Sequence, residues 1–305
     1  MVVGRFAPSP SGRMHLGNVF AAMLAWLFAR SAGGELFLRL EDLDPDRCRP
    51  EYAALLKDDL RWLGLDWDRE GQRQSERRAV YAEAFRELEA QGLVYPCYCT
   101  RGALHAASAP HASDGAPVYP GTCRDLTAAQ RAEMKKLPAW RVRVPDQRCG
   151  FRDGLQGWQE ENLARDCGDF IIRRADGVYA YQLAVVVDDG AMGVTQVVRG
   201  RDLLSSTPRQ LYLYERLSLP APEFIHVPLL LSPDGRRLSK RDRDLDLGAL
   251  RQHVQPEALL GALAFTAGIL EKSEPISAAE LVQVFHAEKI DKTDHFFSEE
   301  LLQKS

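Results

Sequence analysis

The sequence predicts an α/β protein built on a doubly wound parallel sheet, and three observations predict it. Residues 2–6 form a short apolar run that feeds a loop rich in Pro, Ser and Gly. From Leu16 onward Val19, Phe20, Met23, Leu24, Leu27 and Phe28 repeat at helical spacing, and Gly33 with Gly34 stops the pattern before an apolar run at 36–40. Strand, helix and strand in that order make a βαβ unit, whose strands lie parallel. Strand-like runs return at 179–188, 194–198 and 224–231, with helical spacing at 209–217 between them, so a second half resumes the sheet.

Each remaining element follows from local pattern. Residues 52–63 and 81–88 read as amphipathic helices. From 95 to about 140 the composition turns to Cys, His, Ala, Pro and Gly without periodicity, which marks an inserted module, loop-rich or braced by a metal. Ser232, Pro233, Asp234 and Gly235 make a turn, and 236–244 an exposed basic loop. In the tail Leu259, Leu260 and Leu263 share a helix face, and Ser277 with Glu280 forms a capping box. The expected organisation is a first half-lobe at 1–94, the inserted module at 95–178, the second half-lobe at 179–245 and a small helical tail at 246–305.

A chain of 305 residues is long enough for two or more lobes. With 39 basic and 43 acidic residues the net charge is −4, so a nucleic-acid partner must meet a local basic patch. Arg69, Arg73, Arg77 and Arg78 offer one, and Arg236, Arg237, Lys240, Arg241 and Arg243 another. There is no charged, apolar leader and no run of roughly 20 apolar residues, so a cytoplasmic protein without a membrane partner is expected. A monomer is the simplest expectation.

Two constellations suit phosphate chemistry. His15, Leu16, Gly17 and Asn18 stand where the first loop opens a helix, whose unpaired N–H groups and positive dipole end favour phosphate oxygens. An imidazole there can donate to an oxygen gaining charge at phosphorus. Arg237, Leu238, Ser239, Lys240 and Arg241 follow a strand some two hundred residues later, and in a doubly wound sheet both segments reach the carboxyl ends of the strands, where ligands bind. Lys240 can place a mobile ammonium on a leaving pyrophosphate. A third constellation is Cys97, Cys99 and Cys123. Three thiolates and one more ligand would complete the shell that structural Zn2+ prefers, the fourth ligand being His105, His111 or Tyr119. Cys48, Cys149 and Cys167 read as isolated thiols.

The HLGN segment resembles the HIGH motif, and RLSKR the KMSKS loop, of class I aminoacyl-tRNA synthetases. RFAPSPSGRMHLG at 5–17 and YQLAVVVDDGAMGVTQVVRGR at 181–201 are similar to glutamyl-tRNA synthetases. Leu16 stands in place of the usual isoleucine, Arg237 and Leu238 in place of Lys-Met, and Arg241 in place of the final serine. The resemblance extends to about residue 250 and implies a Rossmann-like catalytic domain, ATP as substrate with Mg2+ on its phosphates, and L-glutamate as the amino acid.

It further implies that Arg5, Phe6, Ala7, Pro8, Ser9, Glu41, Tyr181 and Arg199 surround glutamate, with Glu41 facing its ammonium. Pro8, His15, Gly17, Asn18 and residues 237–241 then hold ATP. A second carboxylate on the amino acid fits this set, because Arg matches a carboxylate with two parallel N–H···O bonds. Apart from the resemblance, Glu41 is an ordinary acidic turn residue, Tyr181 a core residue, and Arg199 an ion-pair partner of Asp188 or Asp189.

Full-length members of the family carry a large anticodon-reading helical domain that does not follow here. A branch of the family sharing that feature loads glutamate onto queuosine, the modified wobble base of tRNA(Asp), and takes a tyrosine in the setting Tyr-x-x-x-Cys, here Tyr119 and Cys123, as the fourth zinc ligand. The resemblance thus implies glutamate activation without tRNA and tRNA(Asp) carrying queuosine as acceptor. The alternatives are a truncated or discriminating synthetase that charges a tRNA 3′ end, and a noncatalytic tRNA-binding paralogue.

Overall fold

The structure is a computed structural model that describes residues 1–100, 118–232, 235, 236, 238, 246–298 and 300–303. Strand β1 (Val3–Phe6) leads into helix α1 (Leu16–Ser31), which returns to β2 (Glu35–Leu38) parallel to β1. The return is tight: a Cβ on Gly34 would come within 2.5 Å of the Val2 carbonyl oxygen, so only glycine permits it. Helix α2 (Pro50–Trp62) then crosses to β3 (Arg69–Glu70), parallel to β2, and α3 (Arg78–Ala90) completes the first half.

The inserted stretch has more regular structure than its composition predicts. Strands β4 (Val94–Cys97) and β5 (Ala139–Val142) pair antiparallel, with the short helix α4 (Ala128–Ala132) between them in sequence. A hairpin, β6 (Arg148–Asp153) and β7 (Gly157–Asn162), follows, and β8 (Phe170–Arg173) pairs with β5. Short strands with one or two inward side chains leave too little alternation for periodicity to register.

The second half departs from expectation at its start. Residues 179–188 are expected as a strand, but Tyr181–Met192 is helix α5, closed by Gly193 at φ 66°. Three successive valines favour a strand, but Leu183 through Asp189 are all buried, and a segment covered on every side shows neither period. Strand β9 (Gln196–Gly200), helix α6 (Thr207–Arg216) and strand β10 (Glu223–Val227) follow, with β9 and β10 parallel. The expected strand 224–231 is broken at Pro228, which cannot donate a ladder hydrogen bond, and resumes as β11 (Leu230–Leu231). The two parallel sheets meet along β1 and β9: the Thr195 N–H donates to the Val3 carbonyl at 2.9 Å, and the Val3 N–H to Thr195 Oγ1 at 2.9 Å.

The tail holds α7 (Leu247–Leu250), α8 (Pro256–Thr266), α9 (Ala278–Val284) and α10 (Glu300–Gln303). The Ser277–Glu280 capping box is present. An unexpected strand, β12 (His295–Phe296), runs parallel to β11. Leu259, Leu263, Leu281 and Phe297 share one buried cluster with Leu16, Phe20 and Leu24 of α1. At about 2 kcal/mol per fully buried large side chain, that shared burial ties the tail firmly to the first half. Among the described residues, no helix is long and apolar enough to cross a membrane.

Candidate active site

Where β1 and β9 end side by side, a cavity of about 560 Å³ opens at their carboxyl ends. Its lining includes Arg5, Phe6, Ala7, Pro8 and Ser9 from the first strand and loop, His15, Gly17 and Asn18 from the start of α1, then Glu41, Tyr181, Arg199 and Leu238. These are all the expected glutamate- and ATP-binding residues within the described regions. Arg237, Ser239, Lys240 and Arg241 lie outside the described residues, as do His105 and His111.

The side expected to meet phosphate starts at His15, the residue that caps α1. The Asn18 side chain accepts the His15 N–H at 3.4 Å, and the Asn18 N–H donates to the His15 carbonyl at 2.9 Å. A Cβ on Gly17 would press to 3.1 Å of the imidazole, so glycine lets the ring lie along the first turn. Leu238 is buried against this turn, about 4.0 Å from the same Cβ position, and Asp246 bridges to His15. Both flanks of residues 239–245 are therefore anchored at the start of α1.

The side expected to meet glutamate is a buried network of charge. Glu41 is held at the end of β2 by its N–H to the Pro8 carbonyl, 3.0 Å. Arg39, wholly buried, reaches Glu41 at 3.1 Å and Asp189 at 2.5 Å. Asp188 collects Arg77 at 2.6 Å, Gln74 at 2.8 Å and the Tyr81 hydroxyl at 2.8 Å. Arg5 stands 3.6 Å from Asp189 and donates to the Val198 carbonyl at 3.4 Å. Burial pushes the Glu41 carboxyl above its ordinary range, more than Arg39 and Arg5 pull it down.

Arg199 differs from these. Its donors reach His226 Nε2 at 2.9 Å, Gln210 Oε1 at 2.8 Å, Thr207 Oγ1 at 2.9 Å, the Leu203 carbonyl at 3.4 Å and the Tyr181 hydroxyl at 3.5 Å, every one a neutral acceptor. Among the described residues it forms no ion pair with Asp188 or Asp189, so that pairing is corrected. Burial accordingly lowers its pKa. Arg5, Arg39 and Arg77 thus each have a carboxylate partner among Glu41, Asp188 and Asp189, while Arg199 has none within ion-pair reach among the described residues. Arg39, His226, Asp153 and Tyr214, whose hydroxyl donates to Asp189 at 3.4 Å, were not anticipated; for Arg39 the signal was a charged letter inside an apolar run, LFLRL at 36–40.

The first basic patch does not survive as a unit. Arg77 is committed to Asp188 inside the molecule, and Arg69 pairs with Glu35. A second cavity of about 330 Å³ shares Ser9, Ser11, Glu41 and Tyr181 with the first and runs out past Arg47, Arg174 and Tyr179.

The sulfurs of Cys97, Cys99 and Cys123 lie within 4.8 Å of one another. The Tyr119 hydroxyl is 3.5 Å from the Cys97 sulfur and 3.9 Å from that of Cys99. Against burial, hydrogen bonds from Tyr119 and Arg141 lower the Cys97 thiol, while burial and Cys123 push the Cys99 thiol up to about 11. Three soft donors and a phenol oxygen around one point fit Zn2+, and Arg141, stacked 3.8 Å over the Tyr119 ring, offsets the thiolate charge. Cys48, Cys149 and Cys167 form no disulfide.

Parallel strands with a ligand cavity at their carboxyl ends, a helix opening on that cavity and buried cations beside it define a nucleotide- and carboxylate-handling α/β enzyme. The family model for class I tRNA synthetases (E and Q), catalytic domain, matches residues 1–304, and the chain belongs to that family. A glutamyl-Q tRNA(Asp) synthetase of Symbiobacterium thermophilum is 49% identical over 308 residues, 96% of this chain and 94% of that protein. One from Nitratidesulfovibrio vulgaris is 53% identical over 297 residues, 92% of this chain and 91% of that protein. A glutamate tRNA ligase structure from Elizabethkingia meningosepticum, solved with its amino acid, superposes with a TM-score of 0.84 at 29% identity, covering 99% of this chain and 68% of that one.

Proposed function

We propose that this enzyme activates L-glutamate with ATP and transfers it to the queuosine base of tRNA(Asp). The observation that carries the reading is Arg199, buried without a direct carboxylate partner among the described residues, beside Arg5 and Tyr181, in a cavity that also holds the His15 turn. Glutamate brings two carboxylates and one ammonium, and one of its carboxylates supplies the direct charge partner that Arg199 lacks within the chain. Arg199 and Arg5 take the carboxylates, and Glu41 the ammonium.

The α-carboxylate attacks the α-phosphorus of ATP and pyrophosphate leaves with its electron pair. His15 and Lys240 stabilise the charge that grows on the phosphate oxygens, where preorganised donors act most strongly. Mg2+ arrives on ATP as part of the substrate. The mixed anhydride is then attacked by a hydroxyl of the queuosine cyclopentene ring, which loses its proton as AMP departs. A splayed anticodon base suits insertion in a pocket, and the second cavity beside Glu41 and Tyr181 offers it a route.

Zinc is assigned a structural role, with Cys97, Cys99, Cys123 and Tyr119 as ligands. Cys97→Ser should purify with less zinc than the wild type; equal zinc in both removes the metal from this assignment. The activation step is tested by glutamate-dependent ATP–pyrophosphate exchange in the absence of tRNA. Exchange is expected with glutamate alone. Exchange appearing only when tRNA is added would favour a synthetase of the ordinary, tRNA-requiring kind.

A further inference from the structure

The turn that closes the β6–β7 hairpin abuts the wall of the amino-acid cavity from behind. Asp153, at its start, is 2% exposed and accepts the backbone N–H groups of Leu155 at 3.0 Å, Gln156 at 2.8 Å and His226 at 3.1 Å. It also meets Nδ1 of His226, itself wholly buried, at 2.5 Å. The other ring nitrogen, Nε2, faces the Nε–H of Arg199 at 2.9 Å and the Thr207 hydroxyl at 3.3 Å.

This chain of contacts has one consistent proton assignment. A guanidinium has donors only, so Nε2 must present its lone pair, and the ring proton sits on Nδ1 toward Asp153. Thr207 accepts from Arg199 and keeps its own proton free for Nε2. Neither Asp153 nor His226 lines the cavity. The turn is pinned as well: the Gly154 N–H donates to the Phe224 carbonyl at 2.8 Å, and a Cβ on Gly154 would fall 2.8 Å from Ile225.

We infer that Asp153 and His226 are positioning residues that orient the Arg199 guanidinium toward the amino-acid carboxylate. The carboxylate fixes the imidazole tautomer, the tautomer supplies the acceptor, and the acceptor sets the plane of the guanidinium. An aspartate touching Arg199 directly would hold it equally well, but would also neutralise it and compete with the substrate. An intervening neutral imidazole gives orientation while leaving the charge available. Arg5, which has Asp189 within 3.6 Å, lacks this arrangement. The inference rests on the reading that Arg199 binds a substrate carboxylate.

The test joins spectroscopy to exchange kinetics. In 15N-histidine spectra of the wild type, with His226 assigned by its loss in His226→Gln, Nδ1 is expected to be protonated and Nε2 not. A proton on Nε2 overturns the relay. His226→Gln keeps an amide oxygen for Arg199 and should hold the glutamate KM within about threefold, whereas His226→Leu should raise it about 10- to 100-fold with ATP KM unchanged. Asp153→Asn should behave like His226→Leu. A wild-type glutamate KM in His226→Leu, or equal losses in His226→Gln and His226→Leu, overturns the relay. Arg199→Lys separates the two levels: a raised glutamate KM there keeps the substrate reading whatever the relay variants do, and an unchanged one removes both.

Discussion

Asp188 and Arg199 are both buried charges at the junction of the two sheets, and they are satisfied in opposite ways. Asp188 is met by Arg77, Gln74 and Tyr81, with Arg39 at 3.8 Å, so its charge is compensated entirely within the chain. Arg199 is surrounded by hydrogen-bond acceptors but by no carboxylate among the described residues within ion-pair reach. Both have their geometry fixed; only Arg199 keeps a charge unspent. A buried ion whose partners are internal holds the fold; in the proposed function, one given only neutral partners meets its carboxylate in the substrate.

Substitutions separate the two kinds of buried charge. Removing the Asp188 carboxylate leaves Arg39 and Arg77 buried with less compensation, so Asp188→Leu should cost about 3–5 kcal/mol in urea unfolding. A loss of activity with unchanged stability would place Asp188 in substrate binding instead. On the phosphate side, Lys240→Ala should lower the exchange rate roughly 10²- to 10³-fold while the glutamate KM stays put. Exchange at the wild-type rate would remove Lys240 from the chemistry.

Arg199→Gln should raise the glutamate KM by about 10²-fold, the scale of a lost hydrogen-bonded charge contact, with stability within about 1 kcal/mol of wild type. A large stability loss would make Arg199 a fold element like Asp188. The smallest effect concerns pH. Burial pushes Asp153 up, but His226 and the backbone N–H groups of Gln156 and His226 outweigh it, so its carboxyl lies below the ordinary range. A depressed folded pKa gives stability that is present above the unfolded value and lost as pH falls through the folded one. The stability gap between wild type and Asp153→Asn should therefore narrow as the pH drops below about 4. A constant gap would mean that Asp153 acts through packing alone.

How much of this was legible in the sequence depended on the kind of signal. The βαβ start was plain because α1 is long, carries large apolar residues at helical spacing and ends at a Gly-Gly stop. Helix α5 was misread as a strand because Leu183–Asp189 is covered on all sides, which erases the period and leaves only valine's preference for strands. The cavity-lining residues came through motif resemblance, since Arg5 and Arg199 are 194 positions apart and only the β1–β9 junction brings them together. Asp153 and His226 carried no motif at all. Their link is a contact between a hairpin turn and a neighbouring strand, which no spacing rule encodes.

The most direct test of the central claim is charging of purified tRNA(Asp), with and without queuosine, by the enzyme and labelled glutamate. Label is expected only on the queuosine-containing tRNA. Equal label on both, or label on tRNA(Glu) alone, would contradict it.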